Sequence, residues 1–102
     1  MAEKPIERHS SVIKEDLPVI YAFIAKDDPA AAEHVLGAIE ETFRQISRQP
    51  ECGMVFRTRT LTLQRFRMLP VSGFRNYLVF YRDDGECIRV LYVVHGARHL
   101  LH

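Results

Sequence analysis

Tyr77-Leu78-Val79-Phe80-Tyr81-Arg82, then Asp83-Asp84-Gly85-Glu86, then Cys87-Ile88-Arg89-Val90-Leu91-Tyr92-Val93-Val94 is the stretch on which the fold turns. The outer runs are rich in β-branched and aromatic residues, which suit a pleated surface, and the four residues between them are a hairpin signal. The second run carries a single charge, Arg89, so it reads as a central strand covered on both faces for most of its length. Strict alternation along it places Tyr92 on the same side as Ile88, Val90 and Val94, in the core.

Upstream, Pro70–Asn76 contains Gly73 and reads as a connection. Thr58–Leu69 reads as an unevenly alternating strand, with Phe66 and Met68 on one side and Arg65, Arg67 and Leu69 on the other. Pro50–Phe56, with Gly53, reads as a loop. Before Pro50 the apolar period changes from 2 to 3.6: Ala32, Val35, Leu36, Ile39, Phe43 and Ile46 share one helical face. Asp28 is suited to cap that helix, Pro29 to open it, and Gln49-Pro50 to end it. Gly37 costs a helix about 1 kcal/mol against alanine, and close approach of a neighbouring helix is the expected reason to keep it.

That neighbour is written in Leu17, Ile20, Tyr21 and Ile24, again at helical spacing, with Ser10 and Ser11 as cap candidates. Pro18 lacks an N–H, so this helix either starts near Asp16 or kinks there. A turn as short as Asp27-Asp28 requires the two helices to pack as an antiparallel hairpin. Lys4–His9 offers at best an edge strand. The expected architecture is α+β in the order β-α-α-β-β-β: one domain over 1–102, a helical hairpin packed on a mostly antiparallel twisted sheet.

The chain has 102 residues, 47% apolar and 26% charged, which suits one globular domain and leaves no room for a second. Val19–Ala25 and Tyr77–Tyr81 fall far short of the roughly 18–20 apolar residues of a membrane span, and the N-terminus has no apolar signal core. A cytoplasmic location is expected, with no membrane partner. Cys52 and Cys87 are too few for a disulfide scaffold and have no metal-ligand spacing, so both read as reduced structural thiols. No motif calls for a metal or a cofactor. Residues 1–56 carry six Lys/Arg against ten Asp/Glu, and residues 57–102 carry eight Arg against three, so −4 and +5 make up the net +1. Every cation from Arg57 onward is arginine, the side chain that grips carboxylate or phosphate with two parallel bonds. These arginines either form a binding face or are scattered, solvated strand residues.

Several runs together resemble one family. Glu15-Asp16-Leu17, Ile20-Tyr21, Ile24-Ala25 and Asp28-Pro29-Ala30-Ala31-Ala32 are similar to the helix hairpin of the RelE/ParE toxin superfamily. Arg67-Met68-Leu69-Pro70-Val71, Gly73-Phe74-Arg75-Asn76-Tyr77-Leu78-Val79-Phe80-Tyr81-Arg82 and His95-Gly96-Ala97-Arg98 resemble its ParE branch in order and spacing. There are two departures: Tyr92 stands where the branch commonly has arginine, and His99 where an aspartate usually follows the terminal arginine. The resemblance implies the toxin of a type II toxin–antitoxin module, of the kind tied to plasmid stabilization. Its partner would be a cognate ParD-like antitoxin, and operator DNA would be met only through that antitoxin. DNA gyrase is the target class for some members.

The superfamily also contains ribosome-dependent messenger-RNA endoribonucleases. Cleavage through a 2′-hydroxyl needs a base, an acid and cations around the phosphate. Arg67, Arg82, His95 and Arg98 are the candidates for that chemistry, with Tyr81 as a further proton carrier. The chain has no lysine after Lys26, and this argues for a binder over a catalyst. For a binder, Arg65, Arg67, Arg82, His95 and Arg98 are the candidate target contacts. His95 either touches the target or fixes the turn through a ring hydrogen bond. Gly96 is expected to take a positive φ as the strand enters its tail, and Leu100 and Leu101 are expected to dock or await a partner. Phe74 and Tyr77 are expected to anchor the core. Val12, Ile13, Val19 and Phe23 lie outside the main stripe of the first helix and are the candidate antitoxin surface, unless they merely widen the core face.

Overall fold

The computed structural model describes residues 3–55 and 66–96. The chain runs β1 (Ile6–Arg8), a π-helical segment (Val12–Asp16), α1 (Leu17–Ala25), α2 (Pro29–Arg48), β2 (Met54–Val55), β3 (Arg67–Val71), β4 (Phe74–Asp83) and β5 (Ile88–His95). The sheet order is β1-β5-β4-β3-β2; β1 joins β5 in parallel and every other pair is antiparallel. Two helices on a mixed five-stranded sheet make this an α+β fold with the expected hairpin.

Local chemistry explains the helix boundaries. Asp28 takes an extended conformation and accepts from the Ala31 N–H at 3.1 Å, and Pro29 opens α2 where no donor is needed. Pro18 sits in the first turn of α1. The segment before it is wound wide, and the Leu17 N–H reaches the Val12 carbonyl, five residues back. Ser11, at the start of that segment, makes no capping bond with its side chain. Instead His9 caps it: its Nδ1 accepts from the Ser11 N–H at 3.2 Å and its carbonyl from the Val12 N–H at 2.9 Å.

The core lies between the hairpin and one sheet face. Ala32, Val35, Ile39, Phe43 and Ile46 of α2 bury themselves against Val71, Val79, Tyr81, Ile88, Val90 and Val93. Each buried Val, Ile or Phe among them contributes about 1.5–3 kcal/mol relative to exposure. Polar ties bind β1 to this body: the Lys4 N–H donates to the Ser47 carbonyl, Ser47 Oγ donates to the Lys4 carbonyl, and Lys4 Nζ grips Asp83 at 2.8 Å. Arg8 pairs with Glu40 while its guanidinium lies 4.8 Å from the Phe43 ring centre.

Several expectations are corrected. The stretch Pro50–Phe56 is not all loop, because Met54–Val55 forms a short edge strand on β3. The connection is also shorter than expected: Pro70 and Val71 belong to β3 and Phe74 to β4, leaving a two-residue turn with Gly73 at φ +83°. Strand β5 is interior in the pairing order, yet its faces are unequal, with Arg89 and Tyr92 exposed. Tyr92 is 46% exposed rather than core, because one extra residue, Leu91, sits between the pairs Phe80↔Tyr92 and Tyr81↔Val90. This bulge reverses the alternation, so Ile88 and Val90 before it and Val93 after it face the helices. Gly37 is exposed and nothing described lies within 4 Å of an added Cβ, so α1 does not approach it closely. Gly96 has no positive φ, and what limits it is Leu78 Cδ1, 3.0 Å from where a Cβ would stand. Of the strand expected over Thr58–Leu69, residues 58–65 lie outside the described residues.

Candidate functional site

Strand β1 is too short to cover β5. It pairs with residues 88–90 and, through the His9 N–H, with the Val90 carbonyl, so beyond Val90 the outer edge of β5 has no β1 partner. Asp16 stands beside that edge, its Oδ2 accepting from the Val93 N–H at 3.0 Å. A cleft of about 220 Å³ follows between the start of α1 and the edge, with Asp16, Val19, Val93 and His95 in its walls. His95 closes the cleft at the end of β5, packed edge-on against Tyr77 with ring centres 5.0 Å apart.

Large apolar side chains stand exposed on the helical segment that borders this cleft: Ile13 at 55%, Val19 at 60% and Phe23 at 55%. Val19 and Phe23 are one turn apart and share a face. Val12 does not join them. It is fully buried in the core, because the wide π turn aims it under the hairpin, and it leaves the candidate antitoxin surface.

Of the candidate target-contact and nuclease residues, those described, Arg67, Arg82 and His95, are not gathered into one place. Arg65 and Arg98 lie outside the described residues, as do His99, Leu100 and Leu101. Arg67 pairs in register with Tyr81 and so lies on the helix side, where it donates to the carbonyls of Gly53 at 2.8 Å and Glu51 at 3.3 Å. Arg82, one residue on from Tyr81, points to the opposite face, bonds Asp84 at 2.6 Å and lies 5.9 Å from the Phe66 ring centre. A single arginine-bearing sheet face therefore does not form from this pair. Register also separates both from His95, which pairs with Tyr77. Four or five steps along β4 separate them, roughly 13–17 Å at about 3.3 Å per residue.

Tyr81 is excluded from proton transfer. Its fully buried hydroxyl accepts from the Gly53 N–H at 2.8 Å and donates to the Pro50 carbonyl at 2.7 Å. Burial is the main reason its phenol is pushed far above its ordinary value. Gly53 is required there, since a Cβ would sit 2.5 Å from the Tyr81 oxygen. Phe74 packs on the core and Tyr77 lies in it, as expected. At the far hairpin, Lys4 holds the Asp83 carboxyl below the usual carboxylate range and Arg82 does the same for Asp84. Among the described residues no group of three His, Cys, Asp or Glu side chains is placed to hold a metal ion, and no helix is long and apolar enough to cross a membrane. Both cysteines are free thiols.

Sequence reasoning missed three positions. The sequence marks Asp16 only as a helix start, whereas its carboxylate meets the β5 edge. Arg75 and Asn76 fall in the expected connection, yet they stand exposed on β4. The signal for the last two was Pro70, which cannot donate to a ladder and so marks a break in pairing.

These features define a class: a small α+β domain in which a two-helix hairpin covers one sheet face and presents exposed apolar helix side chains beside a strand edge that β1 leaves uncovered. Residues 10–100 match the profile of the ParE toxin of type II toxin–antitoxin systems, parDE, and the chain belongs to that family. A solved structure described as the chromosomal ParDE TA system from P. aeruginosa has the same fold: TM-score 0.71, 16% identity, 91% of this chain and 96% of that one covered. No curated protein matches in sequence.

Proposed function

We propose that this ParE-family toxin arrests growth by binding a protein target, DNA gyrase, and that a ParD-like antitoxin neutralises it by seating on the cleft between α1 and β5. One observation carries the reading. Ile13, Val19 and Phe23 are exposed beside a stretch of β5 that β1 leaves uncovered, so an apolar helix finds a complementary surface there. Operator DNA would then be contacted through the antitoxin, and the toxin would act in the cytoplasm. The ribonuclease reading has weaker support, because Arg67, Arg82 and His95 are spread along the sheet and over both faces.

Purified toxin at stoichiometric excess is expected to slow gyrase supercoiling and to leave messenger RNA on ribosomes intact. Unimpaired supercoiling rejects the gyrase target, and transcripts cut on induction, with cutting lost in His95→Ala, restore the nuclease. For neutralisation, Phe23→Asp with Val19→Asp is expected to weaken antitoxin binding on the order of a hundredfold, as loss of central apolar anchors does. Unchanged affinity places the antitoxin elsewhere.

A further inference from the structure

We propose that Arg75 and Asn76, left without β3 partners by a bulge between β3 and β4, form a recognition site for a carboxylate side chain on the toxin's protein target. The proposal rests on the toxin reading and goes beyond it by naming the contact and its chemistry. The residues from Pro70 to Tyr77 are arranged in an uncommon way. Pro70 pairs with Leu78 and Val71 with Phe74, so one step on β3 spans four on β4, and Arg75, Asn76 and Tyr77 have no β3 partner. Bulges of this kind re-aim side chains and cluster next to working sites. Tyr77 turns inward, buried and packed against His95, and so anchors the bulge from below. Arg75 and Asn76 are left exposed at an open cleft of about 420 Å³ that Gly73 and Phe74 also line.

Charge sets Arg75 apart. Arg8, Arg44, Arg48, Arg82 and Arg89 are each paired with a carboxylate, and Arg67 is held by two carbonyls. Among the described arginines, Arg75 is the one with neither an ion pair nor a hydrogen bond to another described residue. A guanidinium fork and a side-chain amide that line the same cleft both offer N–H donors to a planar anion. A carboxylate is favoured over a nucleic-acid backbone, because tracking successive phosphates takes several unpaired cations, and among the described residues the other arginines are engaged.

Two experiments test this. In the first, the labelled full chain is titrated with a capped Asp-Glu dipeptide and, separately, with inorganic phosphate, and followed by NMR. The peptide is expected to shift the Arg75 side-chain and Asn76 amide signals selectively, and Arg75→Glu is expected to abolish those shifts. Equal shifts at other arginines, or stronger perturbation by phosphate, overturn the carboxylate assignment. This readout does not depend on toxicity, so it separates failure of the site from failure of the toxin reading. In the second, wild type, Arg75→Lys and Arg75→Glu are induced without antitoxin, with melting curves confirming the fold. Arg75→Glu is expected to raise the dose for growth arrest on the order of tenfold to a hundredfold, with Arg75→Lys between, as loss of one charge-assisted contact requires. Undiminished toxicity in Arg75→Glu overturns the target contact. Loss of binding to a short duplex or single-stranded RNA alongside loss of toxicity would replace it with a nucleic-acid contact.

Discussion

Replacing Tyr81 by phenylalanine removes one oxygen and disturbs two backbone groups. The ring stays, so no cavity opens; what is lost is the acceptor for the Gly53 N–H at 2.8 Å and the donor to the Pro50 carbonyl at 2.7 Å. Gly53 is buried and its N–H cannot turn to water, whereas the partly exposed Pro50 region can rehydrate. One unsatisfied buried donor costs about 1–3 kcal/mol, so Tyr81→Phe should lose about 2 kcal/mol. For a chain of this size that is a fall in Tm of roughly 10 °C. Urea unfolding followed by circular dichroism measures it, with an unchanged slope expected. The same residue predicts an alkaline limb. Burial raises the Tyr81 phenol above its unfolded value of about 10, so its contribution is complete below about pH 10 and is lost as pH climbs toward the folded value. The gap between wild type and Tyr81→Phe should therefore narrow above pH ~10. Gly53→Ala should couple to it. The new Cβ would meet the Tyr81 oxygen at 2.5 Å and two ring carbons at 2.7 and 2.9 Å, and the double variant should cost less than the two singles together. A Tyr81→Phe loss below about 0.5 kcal/mol, with no alkaline convergence, refutes the reasoning.

Gly37→Ala should stabilise by about 0.5–1 kcal/mol, because the site is helical and open, and a rise in urea midpoint checks it. Val12→Ala should cost about 2 kcal/mol while Val19→Ala stays within about 0.5, since one side chain is fully buried and the other 60% exposed; equal losses in chemical unfolding would contradict the assignment of Val12 to the core. Lys4 holds the Asp83 carboxyl low, so its contribution is present above about pH 4 and fades as pH falls below that. Because the pair is partly solvated, Asp83→Asn should cost at most about 1 kcal/mol at pH 7 and flatten the acid limb.

Much of the fold was legible because it rests on periodicity. Ala32 to Ile46 at helical spacing, the Asp28-Pro29 start and the β-prone runs around Gly85 are local signals, and each formed the expected element. The misplacements share one cause. A bulge adds a residue without altering composition, so nothing in Val90-Leu91-Tyr92-Val93 announces that Leu91 shifts the phase and turns Tyr92 outward. Pro70 did carry a warning, but its consequence, three residues of β4 without a β3 partner, depends on where both strands resume pairing. For Val12 the core-face alternative holds, because a π turn advances each residue by a smaller angle than an α turn and so brings it round to the buried side that an α-helical wheel does not give it.

By itself the sequence determined the element types, the helical hairpin, the anchoring of the core by Phe74 and Tyr77, and the family resemblance, since all of these follow from residue type and short-range spacing. Only the tertiary structure decided that Arg67 and Arg82 point to opposite faces, that Tyr81 is sealed by Gly53 and Pro50, and that Asp16 meets the open edge of β5. The physical reason is that these depend on strand register and on contacts between residues far apart in the chain, and a shift of one position in pairing exchanges the two faces of a strand.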